Sequence, residues 1–217
     1  MTFNIKKYKE IRHFLDNNTI NSPLIKPTLV AVTKTRPKED IFDAISCGVK
    51  DFGEIRVEEA TNKFSSIKLD NIDIKLHMIG AVQSKKVKKA LDIFDVFHSL
   101  DRKSLANEFA KNSISSNKSF FIQVNTGKEP QKSGILPNLT SDFVRYCLDD
   151  LNLNVVGLMC LPPINEDPHN HFILLKELAS ENKLEQLSMG MSRDYIAALS
   201  CGSTCIRIGS SLFGERK

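Results

Sequence analysis

The spacing of apolar positions in this chain alternates between two periods. From Phe3 to Asn18 the apolar residues fall at Ile5, Tyr8, Ile11, Phe14 and Leu15, which is the spacing of one helix face. Asn21-Ser22-Pro23 then marks a break. Next comes a short β-branched run, Thr28 to Thr33, which reads as a buried strand. It is followed by a helical pattern over Lys38 to Cys47 that stops at Gly48, a residue suited to a helix end. The same alternation repeats down the chain. Predicted strands cover Lys50–Gly53, Leu76–Gly80, Val96–Ser99, Phe120–Val124, Val155–Met159, Leu187–Met189 and Cys205–Ile208. Between them the predicted helices cover Val57–Phe64, Lys85–Leu91, Arg102–Asn112, Asp142–Leu148, Phe172–Glu181 and Asp194–Ser200, the last ended by Gly202.

Strands alternating with helices predict a parallel sheet covered by helices. Eight such units predict closure into a single (β/α)8 barrel over about 28–216, preceded by a helix over about 3–18, with the whole chain 1–217 as one domain. A doubly wound open sheet is the alternative. No Gly-x-Gly-x-x-Gly fingerprint follows the first strand, which argues against dinucleotide binding.

Composition narrows the setting. The chain has 217 residues, 41% of them hydrophobic and 26% charged, as in ordinary globular proteins. It shows neither a membrane-length apolar run nor a signal-peptide core at its start, so a cytoplasmic location is expected. The formal charge is a mild +4. The basic cluster Lys85, Lys86, Lys88 and Lys89 lacks the aromatic interleaving of a nucleic-acid module, and reads as a solvated helix face or a local phosphate-attracting field. Cys47, Cys147, Cys160, Cys201 and Cys205 form no Cys-x-x-Cys pair, so they read as reduced, mostly buried small residues. His169 and His171 have no further ligand at metal-site spacing.

Barrel active sites lie at the C-terminal ends of the strands, so the strand map is also a site map. The first strand ends at Thr33-Lys34. Burial or neighbouring cations would leave such a lysine a neutral, nucleophilic amine able to condense with an aldehyde. The last two strands lead into Ser188-Met189-Gly190-Met191-Ser192 and Gly209-Ser210-Ser211-Leu212-Phe213-Gly214. Small, hydroxyl-bearing turns after strands seven and eight are where barrels often hold a phosphate, on backbone N–H groups at a helix start. Arg207 stands beside them and can only donate hydrogen bonds. It could meet an unprotonated ring nitrogen, or pair with Glu215 or another acid.

These segments resemble those of the pyridoxal phosphate homeostasis proteins, which are similar to the N-terminal barrel of alanine racemases. The likeness is carried by Val30-Ala31-Val32-Thr33-Lys34-Thr35-Arg36-Pro37, Asp51-Phe52-Gly53-Glu54, the segment His77 to Lys85, and Gln123-Val124-Asn125 with Glu129, Lys132, Ser133 and Gly134. Val156 to Met159, Leu187 to Asp194 and Gly202 to Gly214 continue it. The resemblance implies pyridoxal 5′-phosphate as cofactor, held as a Schiff base on Lys34. It also implies Arg207 at the ring nitrogen, Ser192, Gly209 and Ser210 on the phosphate, and Met191 along the wall. One departure is Ile55, where the family usually has asparagine; Arg56 could supply the lost polar contact. Another is glutamate at Glu58 or Glu59 in place of the usual glutamine.

The resemblance also implies a role in vitamin B6 and amino-acid homeostasis, with pyridoxal phosphate-dependent apoenzymes as possible recipients. Racemisation needs a proton carrier on each face of a planar carbanion. Racemases supply the second from a tyrosine on a further domain, whereas this chain stops after its eighth strand and none of Tyr8, Tyr146 and Tyr195 falls at a strand end. The expectation is therefore a monomeric cofactor-binding protein without appreciable turnover, and without nucleic-acid or membrane partners. A stand-alone amino-acid racemase is the alternative, and a cofactor-free interaction domain a third class.

Overall fold

In a computed structural model that describes residues 3–17, 26–70, 73–112 and 117–214, the strands close into a parallel barrel in chain order. They are β1 (Thr28–Val32), β2 (Asp51–Glu54), β3 (Lys75–Met78), β4 (Val96–Leu100), β5 (Ser119–Val124), β6 (Val155–Cys160), β7 (Gln186–Ser188) and β8 (Cys205–Ile208). The helices are α1 (Ile5–Asn17), α2 (Lys38–Ser46), α3 (Val57–Asp70), α4 (Val87–Ile93), α5 (Lys103–Asn112), α6 (Thr140–Arg145), α7 (Pro168–Glu181), α8 (Tyr195–Ser200) and α9 (Ser210–Phe213). The open-sheet alternative is thereby excluded, because β1 pairs with β8 as well as with β2. The predicted break at Asn21–Pro23 and the candidate partner Glu215 lie outside the described residues.

The element ends differ from the pattern for local reasons. The α7 helix starts four residues before the predicted Phe172, because Asp167 accepts a hydrogen bond from the His169 N–H at 3.0 Å and Pro168 takes the first helical position. The predicted Lys85–Leu91 helix divides into a 3-10 turn, Ser84–Lys86, and α4. Lys85, Lys88 and Lys89 are exposed there, while Lys86 pairs with Glu58 at 2.7 Å.

The apolar core lies between the strands and their helices. In β8, Ile206 and Ile208 belong to this outer shell, while Cys205 and Arg207 alternate onto the inner face. Phe97 of β4, Phe109 of α5 and Phe120 of β5 form an aromatic cluster with ring centroids 4.7 to 5.4 Å apart. Truncating any one of them to alanine should cost about 3–5 kcal/mol. Chain end meets chain start where Asn4 N–H donates to the Leu212 carbonyl at 2.7 Å and Phe3 packs on Phe213. All five cysteines are unpaired, and burial pushes the thiols of Cys147, Cys160 and Cys205 up to about 12, so they stay protonated. Among the described residues, no helix is long and apolar enough to cross a membrane, and no cluster of His, Cys, Asp and Glu could hold a metal ion.

Candidate functional site

Lys34 sits half-buried on the turn directly after β1. The turn is closed by Arg36 N–H donating to the Thr33 carbonyl at 3.0 Å, and Thr35 takes φ +63°. A β-branched residue in that left-handed region costs roughly 1–2 kcal/mol, so something must hold it there. The support comes from α3. The Glu59 carboxylate accepts the Thr35 N–H. The Lys63 ammonium donates to the carbonyls of Thr33 at 2.7 Å and Arg36 at 3.2 Å. Lys63 is itself neutralised by Glu54 at 2.6 Å and Glu59 at 2.8 Å. The Arg36 guanidinium donates to the Gly214 carbonyl and ties the same turn to the end of α9.

Glu54 is fully buried at the end of β2. One carboxyl oxygen accepts the Thr33 hydroxyl at 2.7 Å, while the other has no hydrogen-bond partner. Burial pushes this carboxyl above its ordinary pKa, against the pull of Lys63. Burial acts the same way on Glu59, but hydrogen bonds from Lys63 and the Thr35 N–H hold it below the ordinary value. Sequence reasoning missed this bracing set. The available signal was Glu59 and Lys63 four residues apart on one helix, the favourable order for a helical ion pair.

The turn after β7 is folded onto β8. Arg207 N–H donates to the Gly190 carbonyl at 3.0 Å. Gly190 has φ +95°, and a Cβ there would lie 2.6 Å from the Cβ of Ala198, so only glycine fits. Asp194 then accepts the Met191 N–H at 2.6 Å and shapes the loop holding Ser192, which is half-buried, while Met191 is 39% exposed. After β8, Gly209 precedes the short helix α9, whose first N–H groups have no acceptor within the helix. The atoms nearest a Cβ on Gly209 would be those of Val32, the first at an ordinary 3.5 Å, and the φ of −116° suits any residue. Gly209 is half-buried, and the exposed Ser210 follows it as the first residue of α9. First-turn N–H groups beside a glycine and a serine hydroxyl suit an anion.

Arg207 is buried and faces the inside of the barrel. It donates to the hydroxyl of Ser188 and, at 2.9 Å, to the carbonyl of Cys160. Among the described residues it makes no ion pair with a carboxylate, and burial lowers its pKa. Such a guanidinium keeps donors to offer a ligand. The polar contacts continue inward from Ser188 to His98, His77 and Asp51.

Register brings the expected site residues together. Val30 pairs with Arg207 and Ala31 with Ile208, so the turn bearing Lys34 and the Gly209–Ser210 turn leave neighbouring strands on one side of the mouth. Ser192 and Met191 join from β7, the next strand round. On the other side of β1, Ile55, Arg56, Glu58, Gln83 and Lys86 line a cavity of about 220 Å³ between the loops after β2 and β3. The Ile55 backbone closes against Gly80, where a Cβ would lie 2.4 Å from the Ile55 carbonyl oxygen. Arg56 therefore stands at the mouth next to the residue that departs from the family pattern.

Comparison with known proteins agrees with this fold. Residues 17–217 match the family model for the alanine racemase N-terminal domain. The chain is 40% identical over 200 residues to the pyridoxal phosphate homeostasis protein of Aquifex aeolicus, covering 87% of each. It is 36% identical to that of Pasteurella multocida, covering 87% of this chain and 86% of the relative. Among solved structures, PipY of Synechococcus elongatus superposes with a TM-score of 0.86 without PLP and 0.81 with PLP bound, at 29% identity over 97% of this chain and 99% of PipY.

Proposed function

The chain belongs to the alanine racemase N-terminal domain family and, within it, to the pyridoxal phosphate homeostasis proteins, and from that premise we propose that it binds pyridoxal 5′-phosphate at the mouth of its barrel. In this reading it holds the cofactor for intracellular vitamin B6 and amino-acid homeostasis, without appreciable turnover. One observation carries the assignment: the turn bearing Lys34, the buried Arg207 and the Gly209–Ser210 turn lie on or directly after two paired strands, β1 and β8. An amine for the aldehyde, a donor for an unprotonated ring nitrogen and N–H and hydroxyl groups for the phosphate are a set that can hold this cofactor.

Bound there, pyridoxal phosphate supplies an aldehyde that a primary amine captures and a conjugated ring that withdraws electrons. Lys34 is the capturing amine, and the braced turn keeps its backbone in one place. Ser192, Gly209 and Ser210 hold the phosphate through hydroxyl and backbone N–H groups, with Met191 along that wall. Arg207 donates toward the ring nitrogen. Because a guanidinium has no acceptor, Arg207 would suit an unprotonated ring nitrogen, which would favour holding over carbanion chemistry.

The positions of the tyrosines support the same conclusion. Tyr8 lies in α1, Tyr146 stacks beneath Lys103 and donates to Asn107 on the outside, and Tyr195 opens α8. None of the three stands at a strand end, the only place from which this barrel itself could offer a second proton carrier. The chain is assigned to the cytoplasm as a monomer, with pyridoxal phosphate-dependent apoenzymes as recipients and no nucleic-acid or membrane partner. The test is an absorption spectrum of the purified protein before and after borohydride reduction, with mass mapping of the modified peptide. A label on Lys34 is expected, and a label confined to another lysine refutes the assignment. Sustained interconversion of L- and D-alanine would replace it with a racemase.

A further inference from the structure

A chain of side-chain hydrogen bonds crosses the inside of the barrel. Asp51 Oδ1 meets His77 Nε2 at 3.0 Å, His77 Nδ1 meets His98 Nε2 at 3.0 Å, and His98 Nδ1 meets the Ser188 hydroxyl at 2.7 Å. Ser188 in turn accepts from Arg207 Nη1. Strands β4 and β7 are not neighbours, so the bond between His98 and Ser188 spans the lumen. Asp51 opens β2, at the end of the barrel opposite the mouth, and its side chain is 26% exposed. His77, His98, Ser188 and Arg207 are all buried. His98 also stacks on Phe121, with centroids 4.6 Å apart.

The direction of every bond is fixed from the two ends. An ionised Asp51 can only accept, so His77 carries its proton on Nε2 and presents a bare Nδ1. His98 must then donate from Nε2 and accept at Nδ1, and Ser188 supplies that proton while accepting from Arg207, which can only donate. With both rings neutral, all four bonds are satisfied with no proton missing or surplus. Burial, the nearby His77 and Arg207 all disfavour a charged His98. Among the described residues, the other ionisable groups near this line are Tyr8 by Asp51, the thiols of Cys205 and Cys160, and Asp194 beyond Arg207.

Protonation of His77 reverses the middle of the chain. One proton taken from water makes both His77 nitrogens donors, so His98 must accept at Nε2 and carry its own proton on Nδ1. Ser188 then accepts from His98 and Arg207 together and turns its hydroxyl proton away. Resting on the cofactor reading above, we propose that His77, His98 and Ser188 are positioning residues for Arg207, through which the proton state at the end of the barrel opposite the mouth is read at the cofactor ring. This is buried, low-dielectric hydrogen bonding, where such coupling is strong.

Two measurements test it. Histidine 15N NMR of the protein without cofactor, across pH, should show His98 protonated on Nε2 at high pH and on Nδ1 at low pH. A His98 that keeps one tautomer throughout overturns the relay whether or not the protein binds pyridoxal phosphate. The absorption band of the protein loaded with pyridoxal phosphate should shift over that same pH interval. His77→Gln should abolish both the tautomer exchange and the band shift. Ser188→Ala should keep the exchange and lose the shift. A band shift that survives in both variants sinks the coupling to Arg207. Failure of the wild-type protein to take up cofactor would instead count against the proposed function, leaving the NMR result to decide the relay.

Discussion

The Lys63 ammonium donates to the carbonyl of Thr33, the residue before Lys34, at 2.7 Å. With Glu59 on the N–H of Thr35, one helix face thus grips the backbone on both sides of the assigned amine. The side chain of Lys63 is 10% exposed and its partner Glu54 is wholly buried. Lys63→Met should therefore cost about 3–5 kcal/mol, the usual penalty for stranding a buried charge. Urea unfolding measures this. Lys63→Met with Glu54→Gln should recover part of the loss, and a double variant no more stable than the single one would show that stranded charge is not the cause.

Removing the assigned amine should separate stability from capture. The turn is braced through the backbone groups of Thr33, Thr35 and Arg36, so Lys34→Ala should still fold to the same turn, which its circular dichroism and melting curve check. Borohydride should then fix no cofactor to the protein. Trapping at the wild-type level in a folded Lys34→Ala protein would move the capture to another lysine.

The barrel and the mouth were legible in the sequence because their signals are local. Short β-branched runs such as Thr28–Val32 and glycine stops such as Gly48 announce strands and helix ends within a few residues. The Lys34, Gly209 and Ser210 positions followed from strand ends once eight strands had been counted. The inner relay was not legible. Asp51, His77, His98, Ser188 and Arg207 come from five strands and meet only because closure sets them in one lumen. Period-two patterning separates the two faces of a strand, but does not say which inward residues from distant strands will touch. The bracing of Lys34 was intermediate, with its ion pair written in the spacing of Glu59 and Lys63 and its backbone targets visible only in three dimensions.

His98 makes stability depend on pH with a definite sign. Burial first, then His77 and Arg207, hold its pKa well below the ordinary 6.5. The unfolded ring takes up a proton near 6.5 while the folded ring does not, so below that pH the unfolded state binds more protons. The contribution is fully present above 6.5 and is lost as pH falls, approaching about 1.4 kcal/mol per pH unit. His98→Gln should remove that slope. Denaturant titrations of both proteins between neutral pH and mild acid check it, and equal slopes would show that the folded ring takes up the proton after all.

The proposed phosphate seat can be probed at Ser210, which is exposed at the start of α9 and is not needed to pack the core. Ser210→Ala removes one hydroxyl donor and should weaken pyridoxal phosphate binding by only about tenfold or less, given roughly 0.5–1.5 kcal/mol per hydrogen bond. Ser210→Asp adds a negative charge where a second one must sit. At an effective dielectric of about 20, two such charges near 4 Å repel by roughly 4 kcal/mol, so binding should fall by at least about a hundredfold. Because the position is open to solvent, raising the salt concentration should narrow the gap between the aspartate and alanine variants. Equilibrium dialysis at low and high salt measures all of this, and pyridoxal without its phosphate should barely distinguish the two proteins. If Ser210→Asp binds pyridoxal phosphate as tightly as the wild type, the phosphate does not lie against α9.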